Sequence, residues 1–248
     1  MRKLLTGAVA ILVLSAIAWA GDPWKSKPYQ QWDEKDVQTV LQASPWAKVN
    51  ISAAGAWHPS DTTAITGGSL GVAGGKTDTS KASSGSTADQ AGGNEKSMNA
   101  GPAIYNIFWW SARTIREASA RRQVLHGTLA QDAADKAVTQ VPENYQILIA
   151  GQNMSAFQQE SEDYFKSNTY LEIKKSKRKI NPTNVEIQKT PEGKIVGVIF
   201  SFPKKDAEGA PSIGPDEKEV DFNLHAGGSA IRTYFNPKQM TDSQGEDL

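Results

Sequence analysis

Ile195-Val196-Gly197-Val198-Ile199-Phe200-Ser201-Phe202 decides the fold. The run is dense in β-branched and aromatic side chains and too short for a buried helix, so it reads as a strand covered on both faces. At a period of two, Val196, Val198, Phe200 and Phe202 share one face, and Ile195 and Ile199 share the other with Gly197 and Ser201. Burial of the four side chains of the first face contributes roughly 6 to 12 kcal/mol before the entropy of ordering the chain is subtracted. The strand therefore marks the core, but it names no chemistry.

Outward from this run the pattern remains that of strands. Val185 and Ile187 alternate with polar neighbours and join the central strand through Thr190-Pro191-Glu192-Gly193, a hairpin turn, and Leu171 and Ile173 alternate in the same way. Downstream, Pro203 to Pro215 is a polar loop. Glu219 to His225 then alternates with Val220, Phe222 and Leu224 inward, and Ala226-Gly227-Gly228 turns the chain into Ser229 to Phe235. Residues 241–248 are acidic and read as a frayed tail.

Upstream, helices alternate with apolar strands. Asp33 caps a short helix whose stripe is Val37, Val40 and Leu41 and which stops at Ser44-Pro45. Ala47 to Ile51 reads as a strand, and Ile104 to Ser111 as an aromatic strand with a buried helical turn as the alternative. Thr114-Ile115-Arg116-Glu117 fits a capping box that opens a helix running to His126, with Gly127 as its left-handed stop. Thr128 opens a second helix through Ala133, Ala134, Ala137 and Val138. Ile147 to Ala150 is a buried strand, and Ser155 opens a third helix to Phe165. The expectation is an α+β fold, a single largely antiparallel sheet with about three short helices.

Two segments differ from this body. Residues 52–103 hold ten of the 21 glycines with eight serines and six threonines and no sustained apolar period, which reads as a disordered Gly/Ser-rich insertion, with hidden weak strands as the alternative. The chain opens with Arg2 and Lys3, an apolar run from Leu4, and Ala18-Trp19-Ala20 before Gly21-Asp22. That order is the order of a secretory signal peptide with an Ala-x-Ala cleavage site, an uncleaved anchor being the alternative. The implied organisation is a signal peptide over 1–20, an N-terminal helix and strand over 21–51, the insertion over 52–103, an α+β core domain over 104–240 and the tail over 241–248.

Composition narrows the function classes. The 27 basic and 27 acidic groups balance, and two of the cations, Arg2 and Lys3, belong to the leader, so the mature chain is slightly acidic and its overall charge favours neither nucleic acid nor a membrane surface. There is no cysteine, hence no disulfide and no lipid-attachment thiol, and a secreted chain must fold on packing alone.

Trp32-Asp33-Glu34-Lys35-Asp36-Val37, Ser44-Pro45-Trp46-Ala47, Ser111-Ala112-Arg113-Thr114-Ile115-Arg116-Glu117-Ala118, Phe200-Ser201-Phe202-Pro203-Lys204 and Phe235-Asn236-Pro237-Lys238-Gln239-Met240 together resemble a family of uncharacterised secreted bacterial proteins, found near GWxTD-domain proteins. The Gly-Trp-x-Thr-Asp signature itself is absent. The resemblance implies a secreted address and a shared fold, and it transfers no active-site residue.

Each motif with chemical potential has a plainer reading. Gly67-Gly68-Ser69-Leu70-Gly71 matches the serine-hydrolase elbow pattern, but the elbow needs a strand before and a helix after it, and neither is legible in this Gly/Ser-rich setting. Gly75-Lys76-Thr77 ends like a phosphate loop, but Leu70 stands where the first glycine belongs. His58, His126 and His225 have no metal-ligand spacing, and His126 suits a helix C-terminus. Glu160, Glu162 and Asp163 read as the solvated face of a short helix rather than an acid/base pair.

Trp24, Trp32 and Trp46 bracket the first helix and read as its clamp, the alternative being a sugar-stacking platform. Lys174, Lys175, Lys177, Arg178 and Lys179 place five cations in six residues. They read as a solvated loop that guards a sheet edge, or as a contact for an anionic partner such as lipid headgroups, acidic polysaccharide or an acidic protein face. No catalytic set, cofactor site or metal site is read. The expectation is a secreted or periplasmic, non-enzymatic interaction or structural module of the envelope whose partner is a protein or polysaccharide, with no nucleic-acid role and no transmembrane span after cleavage. The alternative is a carbohydrate-binding or carbohydrate-hydrolysing protein that uses exposed tryptophans.

Overall fold

The computed structural model describes residues 21–52 and 103–248. The signal-peptide, insertion, serine-elbow, phosphate-loop and His58 readings lie outside the described residues. The architecture is α+β, with antiparallel sheets and short helices. In chain order the elements are α1 (Pro23–Ser26), α2 (Glu34–Ala43), β1 (Ala47–Ser52), β2 (Ala103–Trp109), α3 (Arg113–Leu125), α4 (Gln131–Thr139), β3 (Asn144–Gly151), α5 (Glu162–Ser167), β4 (Thr169–Ile173), β5 (Arg178–Ile180), β6 (Asn184–Lys189), β7 (Ile195–Pro203), β8 (Val220–Ala226), β9 (Ser229–Phe235), β10 (Thr241–Asp242) and β11 (Gly245–Glu246).

The expected single layer is two. One sheet has the order β1-β2-β3-β7-β6 and the other β5-β4-β8-β9, every pairing antiparallel. The sheets meet through aromatic rings: Phe200 and Phe202 of β7 pack edge-on against Phe222 of β8, and Trp109 of β2 against Phe235 of β9. One buried cluster runs through both sheets and includes Val37 and Val40 of α2 and Ile115 and Ala118 of α3. The segment over 21–51 thus shares the core of the rest. A two-sided apolar strand does not reveal whether one sheet or two cover it, which is why the second layer escaped the sequence reading.

The central strand carries a β-bulge. Gln188 of β6 pairs with Gly197, but Lys189 pairs with Ile195, which leaves Val196 as the extra residue of β7. An extra residue shifts the alternation by one, so Ile195 joins Val198, Phe200 and Phe202 in the core and Val196 turns to the opposite face. Strict alternation had placed Val196 with the buried set.

Helix α2 has the expected start. Asp33 accepts from the Asp36 amide at 2.9 Å and Asp36 accepts from the Asp33 amide at 2.9 Å, a reciprocal box that satisfies two end groups. Helix α3 does not begin as the sequence suggested. Ala112 occupies the cap position, and the carboxylate of Asp247 accepts from the amides of Arg113 at 2.7 Å and Thr114 at 2.9 Å. The expected Thr114 to Glu117 box is absent, and the Thr114 hydroxyl is buried without a partner among the described residues.

The last residues are therefore not a frayed tail. The β10–β11 hairpin folds back, the Asp247 carbonyl accepts from the Trp46 indole at 2.6 Å, and Leu248 packs against the core. An acidic tail looks solvated only until a helix N-terminus, with its unpaired amides and positive dipole end, is placed beside it.

The remaining helices shift modestly. Helix α4 starts at Gln131 rather than Thr128, whose hydroxyl donates to the Gln123 carbonyl. The expected third helix splits into a 3-10 turn, Ser155–Phe157, and α5 capped by Ser161. Among the described residues no helix is long and apolar enough to cross a membrane.

Candidate functional site

Two surfaces have functional potential. The first is the outer face of the five-stranded sheet. The register sets Lys48, Ile107, Ile149 and Val198 on the core side, and Val49, Asn106, Ala150 and Gly197 on the outer side. Ile51 and Ile104 are direct cross-strand partners on that outer side. Val49, Ile51, Ile104 and Val196 are 51%, 56%, 50% and 40% exposed, values that place large aliphatic groups in water on three strands of one sheet. Beside them lies a groove of about 370 Å³, with Phe108 and Leu148 on its floor and Leu41, Trp110 and Arg122 among its walls.

The second surface is a cleft of about 750 Å³ bounded by α1, the 3-10 turn Tyr29–Gln31, α3, the end of α4 and the β10–β11 hairpin. Arg113 Nε and Nη2 grip one Asp242 oxygen at 2.9 and 2.5 Å. Burial opposes charge on Arg113, but the hydrogen bond to Asp242 and the fields of Asp242, Asp247 and Glu117 hold its proton above the ordinary range. Arg116 Nη1 donates to the Val138 and Gln140 carbonyls at 2.5 and 2.7 Å, closing the end of α4. Tyr29 donates its hydroxyl to Asp135, which also accepts from Gln131 at 3.0 Å and Gln30 at 3.1 Å. Burial, then the neighbouring Asp135, keep the Tyr29 phenol protonated well above its usual pKa, and the same bond holds Asp135 below the usual carboxylate range.

Glu117 faces this cleft with no hydrogen-bond or ion-pair partner among the described residues. Burial pushes its pKa up to about 7; Arg113 opposes that, Asp242 and Asp247 reinforce it, and Arg116 opposes it weakly. The sequence reading gave Glu117 a capping role, and Asp247 has taken that role from 130 residues away in sequence. The cleft's other members, Tyr29, Arg113, Asp135 and Asp242, were missed because no local spacing connects them; the acidic tail was the one available signal.

The basic run forms the turn after β4 and the first two residues of β5, with Lys177 at φ +58°. Lys174 Nζ lies 3.1 Å from Glu219 and 3.5 Å from Asp221, Lys177 pairs with Glu172 at 3.5 Å, Arg178 pairs with Asp206 at 3.5 Å and donates to the Ser212 carbonyl, and Lys179 stands 4.0 Å from the centroid of the Tyr170 ring. Four of the five cations thus have partners within the fold, and Lys175 is exposed. The tryptophans follow the plainer reading: Trp24, Trp32, Trp46 and Trp109 are buried, while Trp110 is half-buried in the outer groove.

Glu162 and Asp163 lie in the first turn of α5, and Glu160 accepts from the Gly227 amide at 3.2 Å. His126 lies 3.5 Å from Glu34, and His225 sits exposed on β8. Among the described residues no group of three or more His, Cys, Asp or Glu is placed to hold a metal ion. Compared with known proteins, the chain matches no family model, no curated protein and no solved structure.

Proposed function

We propose that the chain is a secreted or periplasmic, non-enzymatic module of the cell envelope that holds a partner on the apolar outer face of its five-stranded sheet. The observation that carries this reading is the exposure of Val49, Ile51, Ile104 and Val196 beside the Phe108–Leu148 groove. Aliphatic groups gathered on one sheet face cost solvation free energy in isolation, and such patches mark surfaces that are covered by a partner. The address is supported by the Arg2-Lys3 start, the apolar run and Ala18-Trp19-Ala20. A binding role is favoured over catalysis because the cleft's other acids already accept from Arg113, Tyr29 and the α3 amides, and among the described residues none is hydrogen-bonded to Glu117.

A protein partner is favoured over a sugar. Sugar stacking needs open aromatic faces, whereas Trp24, Trp32, Trp46 and Trp109 are buried and the exposed patch is aliphatic. The test is the double variant Ile51→Lys, Ile104→Lys in the native host. The wild-type chain should begin at Gly21 by mass and fractionate with the envelope. The variant should keep the wild-type circular dichroism spectrum and be released. A cytoplasmic, uncleaved wild-type chain, or a double variant that stays bound, would overturn the reading.

A further inference from the structure

We infer that the cleft between α1, α3, α4 and the β10–β11 hairpin binds a small organic cation, an amine or quaternary ammonium on an apolar body, with the Glu117 carboxylate taking its charge. The volume of about 750 Å³ lies in the range of small-ligand sites. Trp24, Tyr29 and Trp32 supply aromatic wall, and Val138 and Val141 supply aliphatic wall. The three rings are buried and back the cleft as packed wall rather than as open faces, so the ligand's apolar body meets Val138 and the exposed Val141, and its charge meets Glu117.

The charges select the sign. Every cation among the described lining residues is engaged: Lys25 with Asp22 at 3.0 Å, Lys27 with Asp36 at 2.5 Å, Arg113 with Asp242, and Arg116 with the Ser111, Val138 and Gln140 carbonyls. With each cation already holding an acceptor, the charged group left with no partner among the described lining residues is the Glu117 carboxylate. Among the acids, Asp135 accepts from Tyr29, Gln30 and Gln131 on one oxygen, and Asp247 accepts from the α3 amides on both. Among the described residues that line the cleft, Glu117 is the acid with no hydrogen-bond or ion-pair partner, and a half-buried carboxylate without a donor is a costly arrangement that a bound ammonium would relieve.

The test uses benzylamine and benzyltrimethylammonium as probes, with benzyl alcohol and benzoate as controls, followed by tryptophan indole NMR shifts of the wild-type protein. The expected result is saturable binding of the two cations that moves the Trp24 and Trp32 signals and leaves Trp110 still, with the alcohol and benzoate at least about tenfold weaker. Binding should tighten from pH 6 to pH 8 as Glu117 ionises against Arg113, Arg116, Asp242 and Asp247, and Glu117→Gln should weaken it about tenfold or more. No saturable cation binding, shifts confined to Trp110, or benzoate binding as tightly as benzylamine would overturn the assignment. The wild-type probe comparison decides the matter even if the variant folds poorly.

Discussion

At the scale of single residues, Asp247 and Thr114 separate two accounts of how α3 begins. Because Asp247 receives two helix amides, Asp247→Ala should cost about 1 to 3 kcal/mol in urea unfolding, the range for losing a cap and leaving buried donors unpaired. Thr114→Val, by contrast, should be neutral or mildly stabilising, since its buried hydroxyl has no partner. A capping box would have made the Thr114 substitution the costly one.

Glu117 yields a pH signature of definite sign. Its folded pKa, near 7, lies above the unfolded value, so the native state binds the proton more tightly. The contribution is fully present below the unfolded pKa, declines as pH rises, and is lost once pH passes about 7. Glu117→Gln should flatten that decline and be more stable than wild type at pH 8, as measured by thermal unfolding across the range. The helix over 113–125 was legible from its residues, but its cap was not, because sequence spacing encodes local geometry and carries no record of which distant carboxylate reaches a helix end.

At the scale of elements, β7 shows what period two predicts and where it fails. The strand's existence, its hairpin with β6 and the left-handed Gly193 at φ +80° all follow from local chemistry. The bulge at Val196 depends on how β6 hydrogen-bonds to β7 and leaves no trace in an apolar run where either parity is hydrophobic. Ile195→Ala should therefore cost about 2 to 5 kcal/mol and Val196→Ala under about 1 kcal/mol by chemical denaturation, whereas strict alternation sets Val196, not Ile195, beside Val198, Phe200 and Phe202 and so makes Val196 costly too. The outer face of the same sheet was illegible for a related reason: Val49, Ile51 and Ile104 read as ordinary strand residues, and only the register with Asn106 and Ala150 puts them on the side that the second sheet does not cover.

At the scale of the whole molecule, both sheets and the N-terminal helices share one buried cluster, so the fold should melt as one unit. Phe222→Ala, which removes the ring between Phe200 and Phe202, should cost about 3 to 5 kcal/mol and lower tryptophan-fluorescence and circular-dichroism midpoints together. Midpoints that separate would instead mean two independently stable halves. The fold class was readable because alternation and turn residues are local; the pairing of layers and the cleft assembled from α1, α3, α4 and the last hairpin were not, because they rest on contacts across more than 100 positions. The account rests most heavily on the apolar face of the five-stranded sheet as the place where a partner sits. Site-specific photocrosslinking in the native envelope tests this directly, with a photoreactive side chain in place of Ile104 and, as the control, in place of His225 on the other sheet. A discrete protein adduct at position 104 and none at position 225 is the predicted result; equal labelling at both positions, or an adduct at position 225 alone, would contradict it.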